Sequence, residues 1–301
     1  MNRSTPDRPK VEGSVAVRDG RRLSFAEYGV PGAPAIIWMH GTPGGRRQVP
    51  IEAREYAEEI GIRIIGVDRP GIGSSTPHLY DNVLDWTGDL EILADTLGVG
   101  TMRLIGLSGG GPYVLAAGAA LPDRVEGIGV LGGVAPTKGP HAIGGGLVEV
   151  APYAAPVLYA TRVPLGFVLS RVFKLARPVA SLALDGYRVL QPAGDRTLLA
   201  RPEFKAMFLD DLLNGSRFQV SAPLADVILF TRDWGFTPDQ VKVPVRWWHG
   251  DADHIIPFAH GEHMVRLLPH AQLTTIDGES HLGGLGVAVS VIDDLLSLGT
   301  D

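Results

Sequence analysis

Cysteine is missing from all 301 residues, which removes disulfides, thiolate nucleophiles, iron–sulfur clusters and Cys-ligated zinc together. A strong charge of either sign is missing too: 27 Lys+Arg against 33 Asp+Glu leaves −6 with histidines neutral. A mild acidic excess offers no electrostatic footprint for polyanions, so nucleic acid is not expected as a partner. Long uncharged apolar runs are also lacking. The most apolar tract, 147–176, is broken by Glu149, Arg162, Arg171, Lys174 and three prolines. It does not supply the roughly 20 apolar residues of a transmembrane helix. The first 14 residues are polar, with no apolar region behind their basic residues and no lipidation box. A cytoplasmic location is therefore expected.

What is present suits a globular chain with a sizeable core: 45% hydrophobic and 20% charged residues. The length suggests two units, or one large α/β unit carrying an insertion. From Gly13 to Gly29 the pattern fits two strands joined at Asp19-Gly20. Short apolar runs follow at Ala35–Met39, Ile62–Val67, Met102–Gly106 and Gly127–Leu131, each bounded by Gly, Asp or His. Such runs fit strands buried on both faces of a parallel sheet. Helix-like stretches lie between them at Val49–Ile60, Val83–Leu97 and Pro112–Ala120, with Asp81 and Asn82 as N-cap candidates and Gly61 and Gly98 as stops. The alternation predicts a doubly wound α/β sheet. It lapses from Thr137 to Asp233, which reads as a helical insertion, and resumes at Pro244–Trp248 and Gln272–Ile276. The core is thus expected over 1–136 and 234–301. Sites in such sheets sit past the carboxyl ends of the strands.

Gly106-Leu-Ser108-Gly-Gly110 follows the third apolar run and opens a helix. With 13 serines and 39 glycines, chance alone gives about 0.2 GxSxG pentapeptides. A serine on a sharp strand-to-helix turn exposes its Oγ, and small residues must flank it because the backbone is crowded. At an earlier strand end, His40-Gly41-Thr42-Pro-Gly-Gly45 can free N–H groups for an oxyanion; Thr42 and Gly109 are the candidate donors. A nucleophilic serine also needs a base and an orienting carboxylate. Among nine histidines, His281 follows the last strand in a glycine-rich loop. His260 and His263 fall in a helix and are expected on a solvated face, while His40 and His249 precede a glycine at strand ends and read as supporting residues. The set His254, His260, His263 and His270 lacks an HExxH spacing, so no metal is expected. Two acids, Asp251 and Asp253, follow the strand ending at Trp248, and strand geometry does not choose between them. The chain order is serine, acid, histidine.

These motifs resemble the α/β-hydrolase superfamily across nearly the whole chain, with a cap inserted between the sixth and seventh core strands. The resemblance rests on the 40–45 loop, Asp68-Arg-Pro-Gly-Ile-Gly-Ser74, the Ser108 elbow, the loop 250–257 and His281. The family's acid commonly stands three residues after the glycine, which implies Asp253. Serine at the elbow, rather than aspartate, speaks against dehalogenase and epoxide-hydrolase chemistry. The 40–45 loop is also similar to that of proline iminopeptidases, but Gly109 stands where their elbow usually has tryptophan.

The resulting expectation is a carboxylic-ester hydrolase working through an acyl-enzyme. Ser108 is the nucleophile, His281 the base, Asp253 its partner, and Thr42 and Gly109 the oxyanion donors. His40, Gly41, Gly106 and Gly110 are supporting residues. No cofactor is expected, and the substrate is a small ester with an apolar group. Leu147, Val148, Tyr153, Leu158, Tyr159, Phe167 and Val168 of the 137–233 cap are expected to line its pocket. A peptidase or carbon–carbon bond hydrolase, a metal-free lyase, and a receptor with a vestigial triad are the alternatives.

Overall fold

A computed structural model describes residues 8–298, apart from the side chain of Leu147; residues 1–7 of the polar N-terminal segment lie outside it. Eight strands form one sheet: β1 (Val11–Ala16), β2 (Arg22–Gly29), β3 (Ala35–Met39), β4 (Arg63–Val67), β5 (Met102–Leu107), β6 (Val125–Leu131), β7 (Val245–Gly250) and β8 (Ala271–Ile276). Their order is β1-β2-β4-β3-β5-β6-β7-β8, and only β2 runs against its neighbours. This is the mostly parallel α/β sheet that the strand–helix alternation predicts.

The apolar runs form central strands because both of their faces are covered. Successive residues of β3 point to opposite sides: Ile37 and Met39 join one layer, Ile36 and Trp38 the other. The first layer is closed by α2 (Thr87–Thr96), α3 (Gly111–Ala120) and α9 (Ala259–Leu267). The second is closed by α1 (Ile51–Glu59), the short α10 (Gly283–Gly286) and α11 (Ala288–Ser297). Each such side chain, fully buried, contributes about 1.5–3 kcal/mol. The edges differ: β1 and β8 are largely half-buried or exposed.

Five helices lie between β6 and β7: α4 (Ala151–Ala176), α5 (Ala180–Val189), α6 (Ala193–Ala200), α7 (Pro202–Gly215) and α8 (Ala222–Phe230). They divide by burial. Leu198 and Leu199 of α6 and Phe204 and Met207 of α7 join the layer of α1 and α11. By contrast, α4 buries only three residues along 26 and carries Pro156 and Pro164 within it. The strand order reverses at β3, so the crevice past the ends of β3 and β5 is where a site is expected.

Candidate active site

The elbow is crowded. β5 ends at Leu107, α3 starts at Gly111, and Ser108–Gly110 make one tight turn between them. Ser108 has φ +51°, and Asp19 is the only other non-glycine at positive φ among the described residues. Such a conformation costs of order 1–3 kcal/mol and persists only where the surroundings enforce it. A Cβ at position 106 would stand 2.7 Å from the Gly110 carbonyl oxygen, and one at 110 would stand 2.3 Å from the Met39 oxygen. That lack of room is the physical content of the GxSxG spacing.

His281 Nε2 lies 2.9 Å from Ser108 Oγ, and its Nδ1 lies 2.7 Å from Asp253 Oδ2. With Nδ1–H donating to the carboxylate, the Nε2 lone pair faces the serine hydroxyl. All three residues are buried. The other oxygen of Asp253 accepts the N–H groups of Ile255 (2.8 Å) and Ile256 (2.9 Å), and His249 Nε2 flanks Oδ2 at 3.4 Å. Burial pushes this carboxyl up, but the hydrogen bonds and charge of His249, His281 and the backbone outweigh it and hold it well below the usual carboxylate range. Asp251 is exposed and accepts the Gly278 N–H at 2.7 Å, holding the turn. The structure therefore brings Ser108, His281 and Asp253 together and leaves Asp251 aside.

Thr42 and Gly109 sit against each other: a Cβ at 109 would be 2.2 Å from Thr42 Oγ1. The loop carrying Thr42 is braced from beneath. Gly41 N–H donates to Gln48 Oε1 at 2.7 Å, and buried His40 donates from Nδ1 to the Gly41 carbonyl at 2.7 Å while accepting the Arg69 N–H at Nε2, 3.2 Å. Burial, and next the charge of Arg69, keep His40 neutral far below ordinary histidine values.

Two acids that sequence reasoning did not single out also hold this loop. Asp226 of α8 accepts Thr42 Oγ1–H (2.6 Å), Arg69 Nη2–H (2.7 Å) and Tyr113 O–H (2.8 Å). Arg69 donates in turn to the carbonyls of His40 and Gly41 and to Thr42 Oγ1. Asp211 of α7 accepts the N–H groups of Gly45 (2.9 Å) and Arg47 (3.0 Å). Burial, then the nearby charge of Asp68, raise the Asp211 carboxyl to about 7 against the lowering effect of those two donors.

A cavity of about 400 Å³ opens beside Ser108 and His281. Its apolar walls include Phe173 of α4, Leu184 and Tyr187 of α5, and Phe208 and Leu212 of α7. Here the sequence expectation needs correction. Tyr153, Tyr159, Phe167 and Val168 are exposed, and none of them nor Val148 or Leu158 lines this cavity; Leu147 lies outside the described side chains. α4 presents Tyr153, Tyr159, Phe167 and Val168 to solvent, and of its residues only Phe173 lines this cavity. A second correction concerns His260, which is fully buried rather than on a solvated face. It shares the inward face of α9 with Met264, one turn away, and its ring accepts the Ala135 N–H at 3.3 Å. His263 bonds the His141 carbonyl at 2.9 Å. Among the described residues, no three His, Asp or Glu side chains converge as a metal site would, and no helix is long and apolar enough to cross a membrane.

Comparison with known proteins agrees with this architecture. Residues 34–145 match the family model described as alpha/beta hydrolase fold. A proline iminopeptidase of Arabidopsis thaliana is 33% identical over 132 residues, covering 43% of this chain and 34% of that protein. One of Xanthomonas citri is 35% identical over 114 residues, 37% of this chain and 36% of that protein. The chain thus spans about a third of the length of the curated relatives it matches. A thermophilic esterase from Thermogutta terrifontis superposes with a TM-score of 0.69 at 20% identity, covering 96% of this chain and all of that one. At that identity the likeness speaks to fold alone. The chain has the α/β-hydrolase fold, and its residues 34–145 match that family's model.

Proposed function

We propose that this protein is a serine hydrolase of carboxylic esters. Ser108 is the nucleophile, His281 the general base and acid, Asp253 the orienting carboxylate, and the Thr42 and Gly109 N–H groups the oxyanion donors. Residues 137–233 serve as the cap on a core formed by 1–136 and 234–301. The observation that carries the proposal is the continuous hydrogen-bonded path from Asp253 through His281 to a serine on a strained elbow at the cavity wall.

Ser108 Oγ attacks the ester carbonyl as its proton passes to His281 Nε2, and Asp253 stabilises the imidazolium. The oxyanion forms between Thr42 and Gly109; one such donor is worth about 10²–10³ in kcat. His281 returns the proton to the departing alcohol, and a water then cleaves the acyl-enzyme by the same route.

The cavity favours an ester over a substrate with a free amino terminus. A buried ammonium needs a carboxylate partner. Among the described lining residues Asp211 is the only acid, and burial raises its carboxyl to about 7, which makes it a poor counter-charge for an ammonium. A peptidase is the second reading, favoured by the proline iminopeptidases among the partial-length relatives.

A fluorophosphonate probe tests the mechanism: the parent protein is labelled and Ser108→Ala is not. Ser108→Ala turnover near the parent rate would overturn the nucleophile assignment. A panel of p-nitrophenyl esters against amino-acid anilides separates the two readings, with turnover expected on the esters.

A further inference from the structure

The cap helices carry a surface that the hydrolytic site does not use. Along α4 and α5, and at the residue that ends α5, Tyr153 (83% exposed), Val163 (75%), Phe167 (60%), Leu175 (80%), Leu182 (72%) and Leu190 (81%) all face solvent. Scattered exposed apolar residues need no explanation, but six large ones concentrated on two consecutive helices mark an interaction site. Beside it runs a cleft of about 840 Å³, larger than the cavity at Ser108 and adjoining it at Ser216. Arg162, Arg171, Lys174 and Arg217 line this cleft, and no Asp or Glu does. Among the described residues, none of these four cations has a carboxylate within ion-pair distance. Arg171 and Arg217 instead stack on Phe167 and Phe218.

The charge balance is local. The whole chain carries −6, yet residues 146–191 hold five basic side chains against Glu149 and Asp185, a stretch at +3. Asp185 is moreover occupied by Lys205 at 2.7 Å. A second copy of the chain docking face to face would set like charge against like. An anionic lipid surface is complementary to both features: acyl chains accept the apolar row and headgroup phosphates accept the cations. Four charged side chains and three prolines keep the tract from spanning the bilayer, so it lies on it.

From this we infer that α4 and α5 dock the protein on an anionic phospholipid surface, with the cleft of Arg162, Arg171, Lys174 and Arg217 seating lipid phosphates. The inward faces of the same helices supply Phe173, Leu184 and Tyr187 to the cavity beside Ser108. Docking does not depend on the hydrolytic reading, and its test needs no turnover.

The experiment is co-sedimentation of the full chain with phosphatidylcholine vesicles, with and without phosphatidylserine, at low and high salt. Binding is expected only with phosphatidylserine, and salt should weaken it. Arg171→Gln with Lys174→Gln should lower partitioning about thirtyfold, since each cation at such a surface is worth about fivefold, or about 1 kcal/mol. Leu175→Ser with Leu182→Ser should also weaken binding. Unchanged circular dichroism and thermal midpoint in both variants show that folding is intact. These results support docking. It is overturned by absence of binding at low salt, or by equal binding to neutral vesicles. It is equally overturned if glycerophosphoserine saturates the cleft without any vesicle binding, which would make it a small-anion site. Self-association abolished by the same substitutions, without vesicle binding, would assign the face to a second copy.

Discussion

Replacing Asp226 by Asn tests whether the brace behind Thr42 matters to both folding and turnover. Arg69 and Asp226 form a 2.7 Å ion pair with side chains 1% and 2% exposed. The carboxylate serves three donors, from Arg69, Thr42 and Tyr113. An amide of the same shape has one acceptor oxygen, and its NH2 group faces donors where an oxygen stood. At least one donor is left unpaired, and the guanidinium keeps its charge without a counterion. Removing one partner of a buried pair costs about 3–5 kcal/mol, a large part of the 5–15 kcal/mol that ordinarily holds a domain together. Urea denaturation at neutral pH should show that loss. Turnover should fall too, because Thr42 loses the acceptor for its hydroxyl. The ceiling is the loss of one oxyanion donor, about 10²–10³, in kcat and kcat/KM alike, since the interaction is made in the transition state. A second variant, Asp226→Asn with Arg69→Met, removes both charges and should recover part of the stability but not the turnover. A stability loss below about 1 kcal/mol would refute the buried-pair argument. A full stability loss with unchanged kcat would break the link from Asp226 to Thr42.

Asp253→Asn should lower kcat by about 10⁴ through the wrong imidazole tautomer, whereas Asp251→Asn, which weakens at most one exposed bond from Gly278, should leave kcat near the parent value; the reverse ranking in steady-state kinetics would move the acid to Asp251. Two buried groups should shape stability against pH in opposite senses. Asp211, raised to about 7 chiefly by burial, binds its proton more tightly folded than unfolded, so its contribution falls as pH rises from about 4 to 7. His260, lowered to about 4 by burial, stabilises fully above about 6.5 and loses that contribution as pH falls through 4. Denaturation of Asp211→Asn across this range should show a steeper rise with pH than the parent, and His260→Gln a fall; identical slopes in all three proteins would refute the linkage.

The sheet was legible because its strands are buried on both faces. Runs such as Ala35–Met39 are apolar throughout, and each ends at a residue that turns the chain. The elbow was legible for a related reason: with almost no room near Ser108, glycine is forced at 106 and 110, and forced residues leave a pattern. The orientation of α4 left no comparable pattern. Its apolar residues occur nearly all round, so periodicity does not distinguish the face toward Phe173 from the face toward solvent. His260 was misplaced by the opposite error, since a polar side chain at one inward position reads as surface.

The residues that sequence reading missed around Thr42 share a physical cause. Arg69 and Asp226 are 157 positions apart, Thr42 and Asp226 are 184 apart, and no local spacing joins them. What the sequence does contain is half of the signal. Ala222-Pro-Leu-Ala-Asp-Val-Ile-Leu-Phe230 places one acid inside an otherwise apolar helix, and an acid there must be either exposed or partnered. The same-face neighbours one turn to either side, Ala222, Leu229 and Phe230, are all apolar, so that face turns inward and a buried donor set is required. Asp226 could therefore have been marked from the sequence as a residue with a partner elsewhere in the chain. Which partner it takes is decided by the crossing of α8 over the β3 and β4 loops, and that is information only the fold carries.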